Sequence, residues 1–114
     1  MGADRLLRLC QLRRFVVVDD SMRPALAPGD GLVALRDDEP VAGQVRLFRD
    51  PRLSTRWLVK RVSDVYVGTG STTFEARSDN PTARGAVDSH EFGWVPAAGS
   101  YRVLLRVRGW KLTR

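Results

Sequence analysis

The feature that most constrains this chain is a two-residue alternation near its end. Tyr101, Val103, Leu105 and Val107 alternate with Arg102, Leu104, Arg106 and Arg108. Side chains spaced in this way fall on opposite faces of an extended strand, one toward a core and one toward water. Short strand-like runs recur over 15–18, 31–36, 44–49, 57–62, 65–67, 72–77 and 92–95. Turn residues separate them: Pro28-Gly29-Asp30, Gly43, Asp50-Pro51, Gly68-Thr69-Gly70-Ser71, Asn80-Pro81 and Gly93. Many short strands with regular turn punctuation predict an all-β fold, a compact coiled-sheet or barrel-like single domain. Helix is expected only as a short N-terminal segment and as one turn after Ser21.

Composition narrows the function classes. At 114 residues, 43% hydrophobic and 28% charged, the chain is an ordinary globular mixture. Long disorder, a collagen-like fibre and a coiled coil are excluded. The expected division is a basic amphipathic segment over 1–14, a β domain over 15–108 and a tail over 109–114. Cys10 and His90 are the sole cysteine and histidine. A disulfide within the chain is therefore impossible, a Cys/His zinc site lacks ligands, and no metal or cofactor is expected.

The net charge is +6. It favours anionic partners, or else reflects arginines spread over solvated faces, since no run of five like charges occurs. Of the 19 basic residues 17 are arginine, and only Lys60 and Lys111 are lysine. A lysine in this background marks a place where arginine chemistry fails. No stretch approaches the ~20 apolar residues that span a bilayer. The start, Leu6 to Arg14, is too short in its apolar part for a secretory signal and is broken by Arg8. It reads as a basic amphipathic helix lying on a membrane, or as a terminal helix capping the domain. The expected location is cytoplasmic or peripherally membrane-attached.

Two segments carry chemistry. In the first, Asp19-Asp20-Ser21-Met22-Arg23-Pro24-Ala25-Leu26-Ala27-Pro28-Gly29-Asp30, a strand ends and Ser21 stands at the corner. Ser21 is there either as a helix-capping serine or as a nucleophile beside free backbone N–H groups that polarise a carbonyl. In the second, Trp57-Leu58-Val59-Lys60-Arg61-Val62, strand alternation puts Lys60 on one face with Leu58 and Val62, and Arg61 on the other. Burial disfavours the ammonium, and a neutral amine is a general base, which a guanidinium cannot be. The plain alternative is a snorkelling lysine with its head in water. Paired, a serine and a lysine form a known variant of the catalytic triad. A rival arrangement uses His90 with Asp88 and either Ser21 or Ser89.

These residues resemble a family. Ser21-Met22-x-Pro24-x-Leu26-x-Pro28-Gly29-Asp30 is similar to the nucleophile box of bacterial type I signal peptidases and their soluble relatives. Val59-Lys60-Arg61-Val62 resembles their general-base box. Ser78-Asp79-Asn80, followed by Asp88-Ser89-His90-x-Phe92-Gly93, is similar to their third box, and Gly43-Gln44-Val45 to the intervening Gly-Asp-Val. The small branch that resembles nickel-type superoxide dismutase maturation proteases fits best. The resemblance implies a mostly β serine endopeptidase that cuts a leader-bearing protein or peptide in trans after small residues. It makes Ser21 the nucleophile and Lys60 the general base, with Asp19, Ser21 and Met22 in the oxyanion region. Pro24, Gly29 and Asp30 would shape the nucleophile turn, and Asp79, Asn80, Asp88 and Ser89 would hold the catalytic region together. A peripheral membrane contact is an added expectation, and nucleic acid is not an expected partner.

Three departures from the family pattern stand out. Asp19 lies where family members carry glycine or an oxyanion-assisting serine. Ala86 stands where many carry a serine that orients the lysine, and His90 replaces an arginine. They motivate a second class of reading, a catalytically impaired binding domain on the same fold. A LexA-type self-cleaving regulator shares the dyad but needs an upstream DNA-binding module, and only 20 residues precede Ser21.

Overall fold

The computed structural model describes residues 11–84 and 86–109. Seven strands form one sheet: β1 Leu12–Val16, β2 Gly31–Arg36, β3 Val45–Asp50, β4 Leu53–Gly68, β5 Ser71–Arg77, β6 Val95–Pro96 and β7 Tyr101–Val107. Their spatial order is β1-β2-β7-β3-β4-β5-β6, and each neighbouring pair is antiparallel. The all-β expectation is met. Among the described residues a single four-residue helix, α1, covers Ser89–Phe92.

The differences from the sequence reading are local. The runs 57–62 and 65–67 are one 16-residue strand, β4. A bulge between Val62 and Asp64 inserts Ser63, so the apolar period breaks without ending the strand. Of the stretch 92–95 only Val95 is in a strand, as the first residue of β6; Phe92 ends α1. Asp88 caps α1 in a capping box with Glu91, and Gly93, at φ 82°, ends it. The N-terminal helix extends to Arg14 in the sequence reading, but Leu12, Arg13 and Arg14 lie in β1, paired with Leu35, Ala34 and Val33. The rest of that segment, including Cys10, lies outside the described residues, as does the tail beyond Gly109. The turn after Ser21 stops at one helical hydrogen bond, from Leu26 N–H to Met22 O at 2.8 Å.

The sheet curls over two apolar clusters. One gathers Phe48, Leu58, Val62, Phe74, Ala76, Val95 and Ala97. The other gathers Val17, Met22, Leu26, Leu32, Ala34 and Leu47, with Phe15, Trp57 and Tyr101 packed against it. Strand β4 serves both: Leu58 and Val62 enter the first cluster, while Trp57 and Val59 pack on the second. The aromatics of the second cluster meet at tilted and edge-on angles, with ring centroids 5.1–5.7 Å apart.

One charge lies inside this fold for structural reasons. Arg46 on β3 is fully buried. Its guanidinium donates to Ser100 Oγ at 2.8 Å, to Gln44 Oε1 at 3.0 Å and to the Asp37 carbonyl, and pairs with the Asp37 carboxylate at 2.9 Å. It thereby ties β3 to the segments flanking β2 and β7. Arg46→Ala is expected to cost about 3 kcal/mol of stability, the low end for breaking a buried pair, because Asp37 keeps about a quarter of its surface in water. Urea denaturation checks this.

Candidate active site

The site is built where the loop after β1 meets the middle of β4. Val17 N–H donates to Asp30 O at 2.9 Å and Gly29 N–H to Val17 O at 2.8 Å, which close the loop at its neck. Gly29 takes φ 92°, a conformation that disfavours a side chain. Asp30 is buried, and its carboxylate accepts from Ala27 N–H at 2.9 Å and Gly109 N–H at 3.2 Å. The Ala27 donor holds its carboxyl below the usual range against the opposing effect of burial. Pro24 lies exposed in the turn, behind a cis peptide bond. Met22 is fully buried, and its sulfur accepts from Asp79 N–H at 3.4 Å.

Ser21 and Lys60, 39 residues apart, come together. Lys60 Nζ donates to Ser21 Oγ at 2.9 Å and to Ser78 Oγ at 2.9 Å. The relative exposures of Ser21 and Lys60 are 1% and 2%. Lys60 is thus not a snorkelling lysine. Burial drives its amine below the ordinary lysine value of 10.5, opposed by the charges of Asp19 and Asp88. No carboxylate touches the amine among the described residues.

Ser78 is the residue that sequence reasoning left without a role. The expected lysine-orienting hydroxyl is absent at Ala86, but Ser78 supplies one from the end of β5. Its signal lay in register: Arg61 of β4 pairs with Arg77 of β5, which sets position 78 beside position 60. Asp88 fixes Ser78 in turn, its carboxylate accepting Ser78 N–H at 2.9 Å while its other oxygen accepts His90 N–H at 3.0 Å. Burial raises that carboxyl, but these donors outweigh it and hold it below the usual range.

The remaining third-box residues brace the site. Asp79 forms a two-pronged pair with Arg61 at 2.9 and 2.8 Å, so Arg61 points away from Lys60 as expected. Asn80 N–H donates to Ser21 O at 2.8 Å and its side-chain amide to Asp20 O at 3.1 Å, clasping the Ser21 turn. Ser89 Oγ is occupied by Ala76 N–H at 2.8 Å. His90 is exposed on α1 and contacts Asp88 and Arg77. The amine in contact with Ser21 Oγ is Lys60, and the histidine arrangement is not formed.

Asp19 departs most from an open site. Its Oδ1 accepts Ser21 N–H at 3.0 Å and lies 2.8 Å from Ser21 Oγ. Beside the pair is a cleft of about 60 Å³, lined by Val17, Leu32, Leu47, Trp57 and Leu58 as well as Asp19, Ser21 and Lys60. It is apolar, with room for a small side chain and little more. Among the described residues no three His, Cys, Asp or Glu side chains converge as a metal site. No helix among them is long and apolar enough to cross a membrane. Compared with family models, curated proteins and solved structures, the chain finds no match in any of the three.

A buried amine has a stability cost with a definite sign. Its proton affinity is lower in the folded chain than in the unfolded one, so raising pH from the folded value toward 10.5 favours folding. Below that window the ammonium's full burial cost is present; each tenfold fall in proton affinity corresponds to about 1.4 kcal/mol. Lys60→Met is therefore expected to raise the urea midpoint at pH 7, with a gap over wild type that narrows as pH approaches 10.5. Denaturation across pH 6–10 tests it.

Proposed function

We propose that this protein is a serine endopeptidase with a Ser/Lys dyad, acting in trans on leader-type peptides. The observation that carries the reading is the 2.9 Å contact between Ser21 Oγ and a Lys60 amine that is 2% exposed. A serine hydroxyl is a weak nucleophile until a neighbouring base takes its proton, and burial supplies a base of lowered proton affinity. The apolar cleft beside Ser21 agrees with a small residue on the acyl side of the scissile bond. Among the described residues strand β1 lies at the sheet edge, with Val16 at its end and Val18 just beyond it exposed, a place where an extended peptide can pair.

In the proposed reaction the Ser21 proton passes to Lys60 Nζ as Oγ bonds to the scissile carbonyl carbon. The carbonyl electron pair moves to oxygen, and the Ser21 N–H is the donor placed to stabilise it. Collapse breaks the C–N bond, and the Lys60 ammonium protonates the leaving amine. Water then attacks the acyl-enzyme, with Lys60 again as base, and releases the acid and free Ser21. Ser78 holds the amine through both halves.

A peptide-binding domain without turnover is the second reading, and Asp19's hold on Ser21 favours it. The test is cleavage of a panel of Ala-x-Ala leader peptides. Ser21→Ala is expected to abolish cleavage while the fold survives by circular dichroism, and Lys60→Arg to fall as far as Lys60→Ala. Activity should rise with pH as Lys60 deprotonates, with the rising limb below 10.5. Equal cleavage by wild type and Ser21→Ala rules the protease out; saturable peptide binding without any cleavage selects the second reading.

A further inference from the structure

Resting on the protease reading, we propose that Asp19 is a built-in latch that keeps the Ser21–Lys60 pair in a resting state until a substrate displaces it. The geometry is a competition among three residues, Asp19, Ser21 and Lys60. A serine hydroxyl has one proton to donate. Asp19 Oδ1, at 2.8 Å from Ser21 Oγ, is an acceptor for that proton, and Lys60 Nζ sits at 2.9 Å as donor to the same oxygen. In this arrangement the hydroxyl proton points to the carboxylate, not to the base that must remove it. The same Oδ1 also accepts Ser21 N–H at 3.0 Å, the donor that a developing oxyanion needs. One carboxylate oxygen thus takes both the proton and the oxyanion donor.

The contact is local and releasable. Asp19 is two residues from Ser21, half-buried, and lines the same small cleft as Ser21 and Lys60. A carbonyl entering the cleft competes for Ser21 N–H. Once that donor turns to the substrate, Oδ1 loses its second bond and the hydroxyl is free to rotate toward Lys60. The charge works in the same direction as the hydrogen bonds. The charged groups acting on Lys60 are Asp19, Asp88, Glu91 and Arg56: the three carboxylates favour the ammonium, and Arg56 opposes them. Asp88 already has its own donors in Ser78 and His90, so Asp19 is the member of this set that can move without dismantling β5 and α1.

A purely structural role for Asp19, as a turn-forming side chain bonded to the N–H two residues on, makes the opposite forecast. The experiment compares wild type, Asp19→Ala, Asp19→Asn and Ser21→Ala with two substrates. One is the leader-peptide panel. The other is a fluorophosphonate probe, in which Ser21 Oγ bonds to phosphorus, fluoride leaves and Lys60 takes the proton, with the adduct on Ser21 read by mass spectrometry. The expected result is a rise of tenfold or more in Ser21-dependent labelling and in kcat/KM for Asp19→Ala. Asp19→Asn, which keeps the acceptor oxygen but not the charge, should lie between. In both variants the rising limb of the pH profile should move to lower pH, an effect that turn formation alone does not produce. Slower or unchanged labelling by Asp19→Ala, in protein with wild-type circular dichroism, overturns the latch. So does the absence of labelling in every variant. Faster labelling without cleavage of any peptide keeps the latch and removes the leader-peptidase reading; Ser21-dependent cleavage that falls in Asp19→Ala and Asp19→Asn does the reverse.

Discussion

A lysine amine shut away from water, with two serine hydroxyls at 2.9 Å, is the contact on which the site depends. Desolvation makes the charged form costly, and hydroxyl oxygens return only part of what water would give. A carboxylate in direct contact would keep the amine protonated and useless as a base. Asp19 and Asp88, whose charges act on the amine, instead spend their oxygens on backbone N–H groups and side chains of their own. Asp88 binds Ser78 N–H and His90 N–H, and Asp19 binds Ser21 N–H. Neither carboxylate touches the amine; Asp19 is joined to it only by way of the Ser21 hydroxyl.

The fold supplies this arrangement with few parts. The middle of β4, from Trp57 to Val62, alternates half-buried and buried positions, and Lys60 falls on the buried set with Leu58 and Val62. Its pairing with β5 delivers Ser78, and the loop closed between Val17 and Asp30 delivers Ser21. Asn80 joins the two deliveries by bonding the Ser21 and Asp20 carbonyls. The same carboxylate that starts α1 also anchors the backbone of Ser78. Capping a helix of four residues is a small task; its larger consequence is the position of the hydroxyl beside the amine.

Much of this was legible in the residues. Period-two alternation placed Lys60 with Leu58 and Val62 and turned Arg61 outward, and the structure buries Lys60 on that face. The nucleophile segment and the lysine segment could be paired because serine and lysine are chemically complementary. What escaped had physical reasons. The Ser78 contact needs the β4–β5 register, which no local pattern encodes. The bulge at Ser63 hid the continuity of β4, because an inserted residue resets the alternation. The strand over Leu12–Val16 carries two arginines and sits at an edge, so its polar composition resembled a helix end. The Asp88-x-x-Glu91 capping box was present in the sequence and would have marked α1.

The bond from Gly109 N–H to Asp30 connects the end of β7 with the neck of the Ser21 loop. Asp30 also holds Ala27 N–H inside that loop. Any tether on the chain beyond Gly109, whether a fusion partner, an affinity handle or a surface it is fixed to, therefore pulls on a lever whose other arm carries Ser21. Engineering at that end of the molecule acts on the Ser21 loop through the Asp30 carboxylate and through the bond from Arg106 of β7 to Ala25 O at 2.7 Å.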